Sequence, residues 1–256
     1  MPTSQPTRSE MAASLRSRIP RSLHPVSRRL AGPVATLLAA LAAAGALAAH
    51  GSTASAQPSA SSAASFRADL SSAARLDAWT LDGNGVWAIR DGLLLLEKAG
   101  KPAGPIRRPG ALAILKTSAL GDASIAVELR SDAPEDVLRR DLLLVAGWQS
   151  PTRFYYVHLS AVRDDVHNGI FVVDEADRRR IDDRSDRPPL KDRAWHTARL
   201  VRTASTGRLE VFVDGEATPI MTATDRSILS GRLGVGSFDD TGAFRGIHVQ
   251  GVPATP

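Results

Sequence analysis

The stretch "RFYYVHLSAVRDDVHNGIFVVD", Arg153 to Asp174, reads as two extended segments joined by a polar turn. Successive side chains of a strand point to opposite faces. Tyr155, Val157 and Leu159 therefore share one side, and Phe154, Tyr156, His158 and Ser160 share the other. The first set is a core face. The second mixes rings with hydrogen-bonding groups, too polar for a dry interior and too aromatic for an ordinary wet surface, which marks it as a candidate binding face.

Working outward, the same pattern recurs along the chain: "GLLLLE", "ALAILK", "SIAVELR", "LLLVAGW", "WHTARLVR", "RLEVFVD", "RLGVGSF" and "FRGIHVQ" are alternating or apolar runs, separated by Asp-Gly, Asn-Gly, Thr-Gly, Ser-Pro and Pro-Gly. About ten short strands spaced about ten residues apart predict an all-β, antiparallel sandwich or barrel rather than alternating strand and helix. The best helical stretch, "FRADLSSAARLDAW", sets only Phe66, Leu70 and Leu76 on one side and predicts no more than a turn or two.

The amino terminus has a different composition. A basic stretch ending in Arg28 and Arg29 precedes the uncharged run "GPVATLLAALAAAGALAA", and Ala54-Ser55-Ala56 supplies the small-x-small pattern of a signal-peptidase site. Residues 1–56 are expected to be an export signal, residues 57–65 ("QPSASSAAS") a Ser/Ala linker, and residues 66–252 the β domain. The alternative is an uncleaved anchor, since the run nearly spans a bilayer, but alanine rather than leucine dominates it. The paired arginines leave Sec and twin-arginine export both open. The expected location is the periplasm or the exterior, with no membrane contact after cleavage.

Six arginines and one glutamate precede residue 57, so the whole net charge of +5 resides there, leaving 26 basic against 26 acidic residues. A balanced chain gives no counterion-displacing patch and no nucleic-acid partner. The stretch "ADRRRIDDRSDRPPLKDR" alternates signs around a Pro-Pro pair and reads as a solvated loop with its own ion pairs. Cysteine is absent, which excludes disulfides, thiolate metal sites and a lipidated cysteine.

Several motifs carry a resemblance that covers nearly all of residues 66–252. Trp79, Trp87 and Asp91-Gly92-Leu93-Leu94 form the entry; "AWHTARLVRTASTGRLEVFVDG" follows, and Gly231-x-x-Gly234-x-Gly236-Ser237-Phe238 closes it. The chain resembles the concanavalin A-like jelly rolls, in particular the laminin G-like group and the 3-keto-disaccharide hydrolase domain family. The resemblance implies a concanavalin A-like jelly-roll sandwich and leaves the activity open. Asp214-Gly215 reads as a turn needing positive backbone angles, and the three glycines as points of close backbone approach or strand curvature.

The Glu-x-Asp-x-x-Glu strand of retaining glucanases is absent; Glu128 and Asp132 share a strand face with Arg130 between them, which balances charge. There is no nucleophile elbow, phosphate loop or zinc helix. Polar residues nevertheless gather on adjacent strands. Trp148 and Tyr156 offer rings to a pyranose, and Gln149, Arg153, His158 and Asn168 offer hydrogen bonds to its hydroxyls. His158, His167 and Asp165 are the candidate acid and base residues if the domain is an enzyme. Jelly rolls of the resembled group hold calcium at a sheet edge, which makes Asp239 and Asp240 candidate calcium ligands. "DGNG", Asp82 to Gly85, lacks further acidic ligands and reads as a hairpin turn instead.

Three functions stay open on these grounds: an exported carbohydrate-binding module, a hydrolase or lyase of 3-keto-disaccharides, and a laminin G-like adhesion module. The Asn-Ser-Gly segment of the hydrolase family has no counterpart here, the corresponding region reading "LLLVAGWQSPTRFYYVHLS". A carbohydrate is the expected partner.

Overall fold

In the run "DLLLVAGW" both faces are apolar: Leu142, Leu144 and Ala146 alternate with Leu143 and Val145, and all five are buried. A strand buried on both sides needs cover on both sides, and the computed structural model, which describes residues 62–254, shows where each cover comes from. The expected signal segment and most of the linker lie outside the described residues.

The chain forms β1 (Ala64–Arg67), a 3-10 turn (Ala73–Ala78), β2 (Trp79–Gly83), β3 (Val86–Arg90), β4 (Leu93–Lys98), β5 (Ala111–Leu115) and β6 (Leu120–Ser131). It continues through β7 (Asp141–Ser150), β8 (Arg153–Ser160), β9 (Gly169–Asp174), β10 (Arg179–Arg180) and β11 (Asp182–Ser185). The last strands are β12 (His196–Thr203), β13 (Arg208–Val213), β14 (Met221–Thr224), β15 (Arg232–Ser237) and β16 (Gly242–Pro253). β1 begins two residues before the expected domain start, and its pairing with β16 explains the difference.

Two antiparallel sheets result. One runs β11-β14-β13-β12-β6-β16-β4-β3, with β1 also on β16; the other runs β10-β9-β8-β7-β15-β5-β2. Ile125, Val127 and Leu129 of β6 and Leu200 of β12 meet Leu142 and Leu144 of β7 and Tyr155, Val157 and Leu159 of β8 between them. This is the expected sandwich.

A second apolar cluster lies on the outer face of the seven-stranded sheet. Leu112, Ile114, Leu143, Val145, Trp148, Phe154, Tyr156, Phe171 and Val173 pack there, with Ile106 against them. The segment between β4 and β5 supplies that cover, so the face expected to be open is largely sealed. Burying a side chain such as Phe154 is worth about 1.5–3 kcal/mol, which favours closing the face over leaving rings in water. Gly234 and Gly236 of β15 permit the packing: a Cβ on either would collide with the carbonyl oxygens of Ala113 and Ala111 on β5.

Two local expectations change. Asp82 to Gly85 is not a hairpin, because β2 and β3 belong to different sheets and the segment crosses between them; Asp82 instead pairs with the buried Arg108 at 2.7 Å. The stretch from Ala176 to Arg193 is not simply a solvated loop. It contributes edge strands β10 and β11 and buries Leu190, although Arg180–Asp182 and Arg184–Asp186 are ion pairs of the kind expected. The turn at Asp214 (φ 52°) and Gly215 (φ 73°) has the predicted positive angles.

Candidate functional site

Strand register brings the chemistry to one end of the seven-stranded sheet. Asp141 opens β7 opposite Ser160, the last residue of β8, and His158 lies across from Leu143. Ser237 ends β15, so Phe238, Asp239 and Asp240 follow at the same end. The loop from Ala161 to Asn168 brings His167 alongside, its ring 5.3 Å from that of His158.

Asp141 is the buried centre of this group. Its Oδ1 accepts hydrogen bonds from the Phe238 N–H (2.7 Å) and the Ser237 hydroxyl (2.9 Å), and its own N–H donates to Asp240 Oδ2 at 2.9 Å. Burial pushes the Asp141 carboxyl up, but the charge and contact of His158 and these donors outweigh it and hold the group below its ordinary range. Asp239 and Asp240 feel the opposite balance. Burial and then the Asp141 charge raise both, Asp240 to about 6.

Above Asp141 the rings are stacked. His158 lies parallel to Phe238 with centroids 6.0 Å apart, and Tyr156 stacks on Phe171 at 5.2 Å. The Arg178 guanidinium covers Phe238 at 4.3 Å and donates to the Tyr156 hydroxyl at 2.9 Å. Burial raises the Tyr156 phenol, so it stays protonated. At the rim, His167 Nδ1 meets Asp164 Oδ1 at 2.7 Å. Burial raises Asp164, yet donation from the Val166 and His167 N–H groups and the His167 ring lowers it overall. A polar cavity of about 310 Å³ lies beside this rim, lined by Arg163, Asp164, Asp165, Arg180 and Asp182.

The sequence-predicted residues divide between two places. Arg153 sits five residues along β8 from His158, about 17 Å at a strand rise of about 3.3 Å per residue, and Trp148 and Gln149 lie near it at the end of β7. There Trp148 is buried under the Arg232 guanidinium (4.4 Å), Gln149 donates to Ser230 O, and Arg153 pairs with Asp174 and donates to Ser227 O. Tyr156 and Asn168 are 0% exposed and offer nothing to a ligand. Asn168 instead holds the turn into β9, with φ of 48° and a bond to Asp186 O. The proposed sugar face along β7 and β8 is therefore not one groove.

Of the candidate acid and base residues, His158 and His167 do come together, but Asp164 rather than Asp165 is the carboxylate on His167. Asp165 faces the neighbouring polar cavity. Asp239 and Asp240 lie with Asp141, one carboxylate oxygen of each within 4.8 Å of the others. Sequence reasoning missed Asp141, Phe238 and Arg178. A carboxylate directly ahead of the doubly buried run "LLLVA" was the available signal for the first.

No family model matches the chain, and no curated protein matches it. Among solved structures it is similar to the carbohydrate-binding module CBM66 from Bacillus subtilis, with a TM-score of 0.51 and 15% identity over 66% of this chain and 93% of the module. It is also similar to lectin I from Ulex europaeus in complex with the methyl glycoside of α-L-fucose (TM-score 0.49, 15% identity, 73% and 97% covered). A third is a Bacillus subtilis protein of unknown function with a galectin-like fold (0.48, 13%, 74% and 96%). The first of these, at 15% identity, bears on the fold alone. With the two-sheet topology it defines the fold: an antiparallel jelly-roll β-sandwich.

Proposed function

We propose that the domain binds carbohydrate at the open end of its seven-stranded sheet. The observation that carries this reading is the rim itself. The exposed Asp164 and Asp239 and the half-buried Asp240, His167 and Arg178 gather around the buried His158 and Asp141 at this end of the sheet, beside the polar cavity lined by Asp164 and Asp165. Carboxylates accept from vicinal hydroxyls, and a guanidinium and an imidazole donate to ring and hydroxyl oxygens. The fold shared with a carbohydrate-binding module supports the reading. Stacking plays a smaller part than the sequence predicts, because Phe238 already packs against His158 and Arg178.

The test is a glycan array probed with the full chain, followed by calorimetric titration of each hit. Retention of a defined glycan, lost in Asp239→Ala, is the expected result. Retention of nothing, on the array and in polysaccharide affinity gels, overturns the reading.

One observation favours a second reading, a hydrolase acting on 3-keto-disaccharides: Asp240, raised to about 6, is a carboxyl able to donate a proton near neutral pH. His158, 1% exposed, would then orient Asp141 rather than touch the substrate. Proton NMR of a 3-keto-disaccharide with near-stoichiometric protein decides this. Free 3-keto-sugar that disappears with Asp240→Asn supports it, and unchanged substrate removes it. In either reading we take the protein to be exported on residues 1–56. An intact mass beginning at Gln57 in the periplasmic or medium fraction is the expected result.

A further inference from the structure

We infer that a groove on the outer face of the nine-stranded sheet binds a small zwitterion, an α-amino acid with an apolar side chain. The groove, of about 330 Å³, is lined by Ala126 and Glu128 of β6, Thr197 and Arg199 of β12, Phe212 of β13 and Gly246 of β16. Its floor is bare because the residues there are small. Ala126 brings one methyl group, and Gly246, at φ 61°, brings none.

Strand register sets two opposite charges beside that floor. Ala126 lies across from Arg199 and Glu128 across from Thr197, so Glu128 and Arg199 are diagonal neighbours, about 7–8 Å apart. Side chains of this length can close such a gap, yet each turns to another partner. Both Arg245 bonds go to Glu128 Oε2, at 3.0 and 2.7 Å, which leaves Oε1 without a hydrogen bond among the described residues. A Cβ on Gly246 would stand 3.3 Å from Oε1, so that free oxygen hangs over the floor. The Arg199 guanidinium lies on the Phe212 ring, 4.1 Å from its centroid. The other carboxylate of the groove, Glu216, is taken by Arg187. Arg199 is thus a lining cation with no carboxylate of its own among the described residues.

An acceptor oxygen, a planar donor fork and an apolar floor between them complement one molecule that carries an ammonium, a carboxylate and an apolar body within a few ångströms. A guanidinium takes a carboxylate through two parallel bonds. The carboxylate oxygen of Glu128 takes an ammonium hydrogen, and the apolar side chain covers Ala126 and Phe212. A plain anion would bring its charge against Glu128, and a plain cation would leave Arg199 unpaired. The groove belongs to the other sheet from the rim of Asp164 and Asp239, so this inference stands apart from the carbohydrate reading.

The experiment titrates the full chain, isotope-labelled, with L-phenylalanine as the probe and follows amide shifts by NMR. N-acetyl-L-phenylalanine, which lacks the ammonium, and L-phenylalaninamide, which lacks the carboxylate, are titrated separately. Saturable shifts confined to the surroundings of Ala126, Thr197, Arg199, Phe212 and Gly246 are expected with phenylalanine. Each analogue should bind at least about tenfold more weakly, as should the exposed-site variant Arg199→Gln, since each loses one charge-assisted contact. No saturable shift at tens of millimolar phenylalanine overturns the site. An Arg199→Gln variant that binds like the parent also overturns it, and an analogue that binds as tightly as phenylalanine overturns the zwitterion. Glu128→Gln should weaken binding too; where it disturbs Arg245, the N-acetyl analogue tests the same contact in the unaltered protein.

Discussion

Tyr155 donates its phenolic proton to Asp225 Oδ1 at 2.7 Å, and the same hydroxyl accepts the Ile228 N–H at 3.0 Å. One oxygen thus ties β8, an interior strand of the seven-stranded sheet, to the connection between β14 and β15. The ring itself lies in the core between the sheets. Tyr155→Phe keeps the ring and removes the oxygen, leaving the buried Ile228 N–H without its partner. The cost is expected to be about 1–3 kcal/mol, read as a lower urea midpoint with an unchanged denaturant slope.

Asp225 gives the acid side of the same contact. Burial raises its carboxyl, but bonds from Ser227, Tyr155 and Arg179 prevail, and the folded value lies below the ordinary one. A depressed carboxylate contributes stability that is present above the unfolded pKa and is lost as pH falls through the folded one. Asp183, lowered by the Thr222 hydroxyl and by Arg208, works in the same direction. Melting temperature should therefore fall as the solution is acidified from about pH 4 downward. Asp225→Asn should be less stable than the parent at pH 7, and the gap between them should close over that acid range. A gap that stays constant with pH would show that Asp225 acts by packing alone.

The raised Asp240 carboxyl makes the opposite prediction at neutral pH. Ionised Asp240 is penalised by burial and then by the charges of Asp141 and Asp239. Asp240→Asn removes one charge and can keep an oxygen for the Asp141 N–H. At pH 7.5 the variant should be more stable than the parent, by on the order of 1 kcal/mol once solvent screening is allowed for. A melting temperature lower than the parent's would mean that the repulsion inferred from the three carboxylates is absent.

How far the sequence reached can be followed on β8. Its run "FYYVHLS" predicts the strand, both faces and its neighbours in order, and the structure has β8 from Arg153 to Ser160 between β7 and β9. Alternation says which side chains share a face. It does not say what lies on top of that face. The cover comes from Ile106, in a segment of prolines and glycines with no period to read, and from Arg178, in a stretch whose alternating charges suggest solvent. The same limit hid Asp141. Its partners Ser237, Phe238 and Asp240 lie nearly a hundred residues away in the chain, and only the pairing of β7 with β15 unites them.

That cover supplies the last prediction. Ile106 is a partly buried side chain packed on a cluster whose other members are fully buried, including Leu112, Phe154 and Tyr156. If the segment between β4 and β5 is what keeps water from these rings, Ile106→Ala should cost about 1–2 kcal/mol, less than the about 2–5 kcal/mol of a fully buried site. It should also loosen the outer face without disturbing the core between the sheets. Amide exchange should quicken for β8 and β5 while β6 and β12 keep their protection. Uniform quickening in both sheets would instead mean that the two clusters open together, and that the segment is part of a single cooperative unit rather than a separable cover.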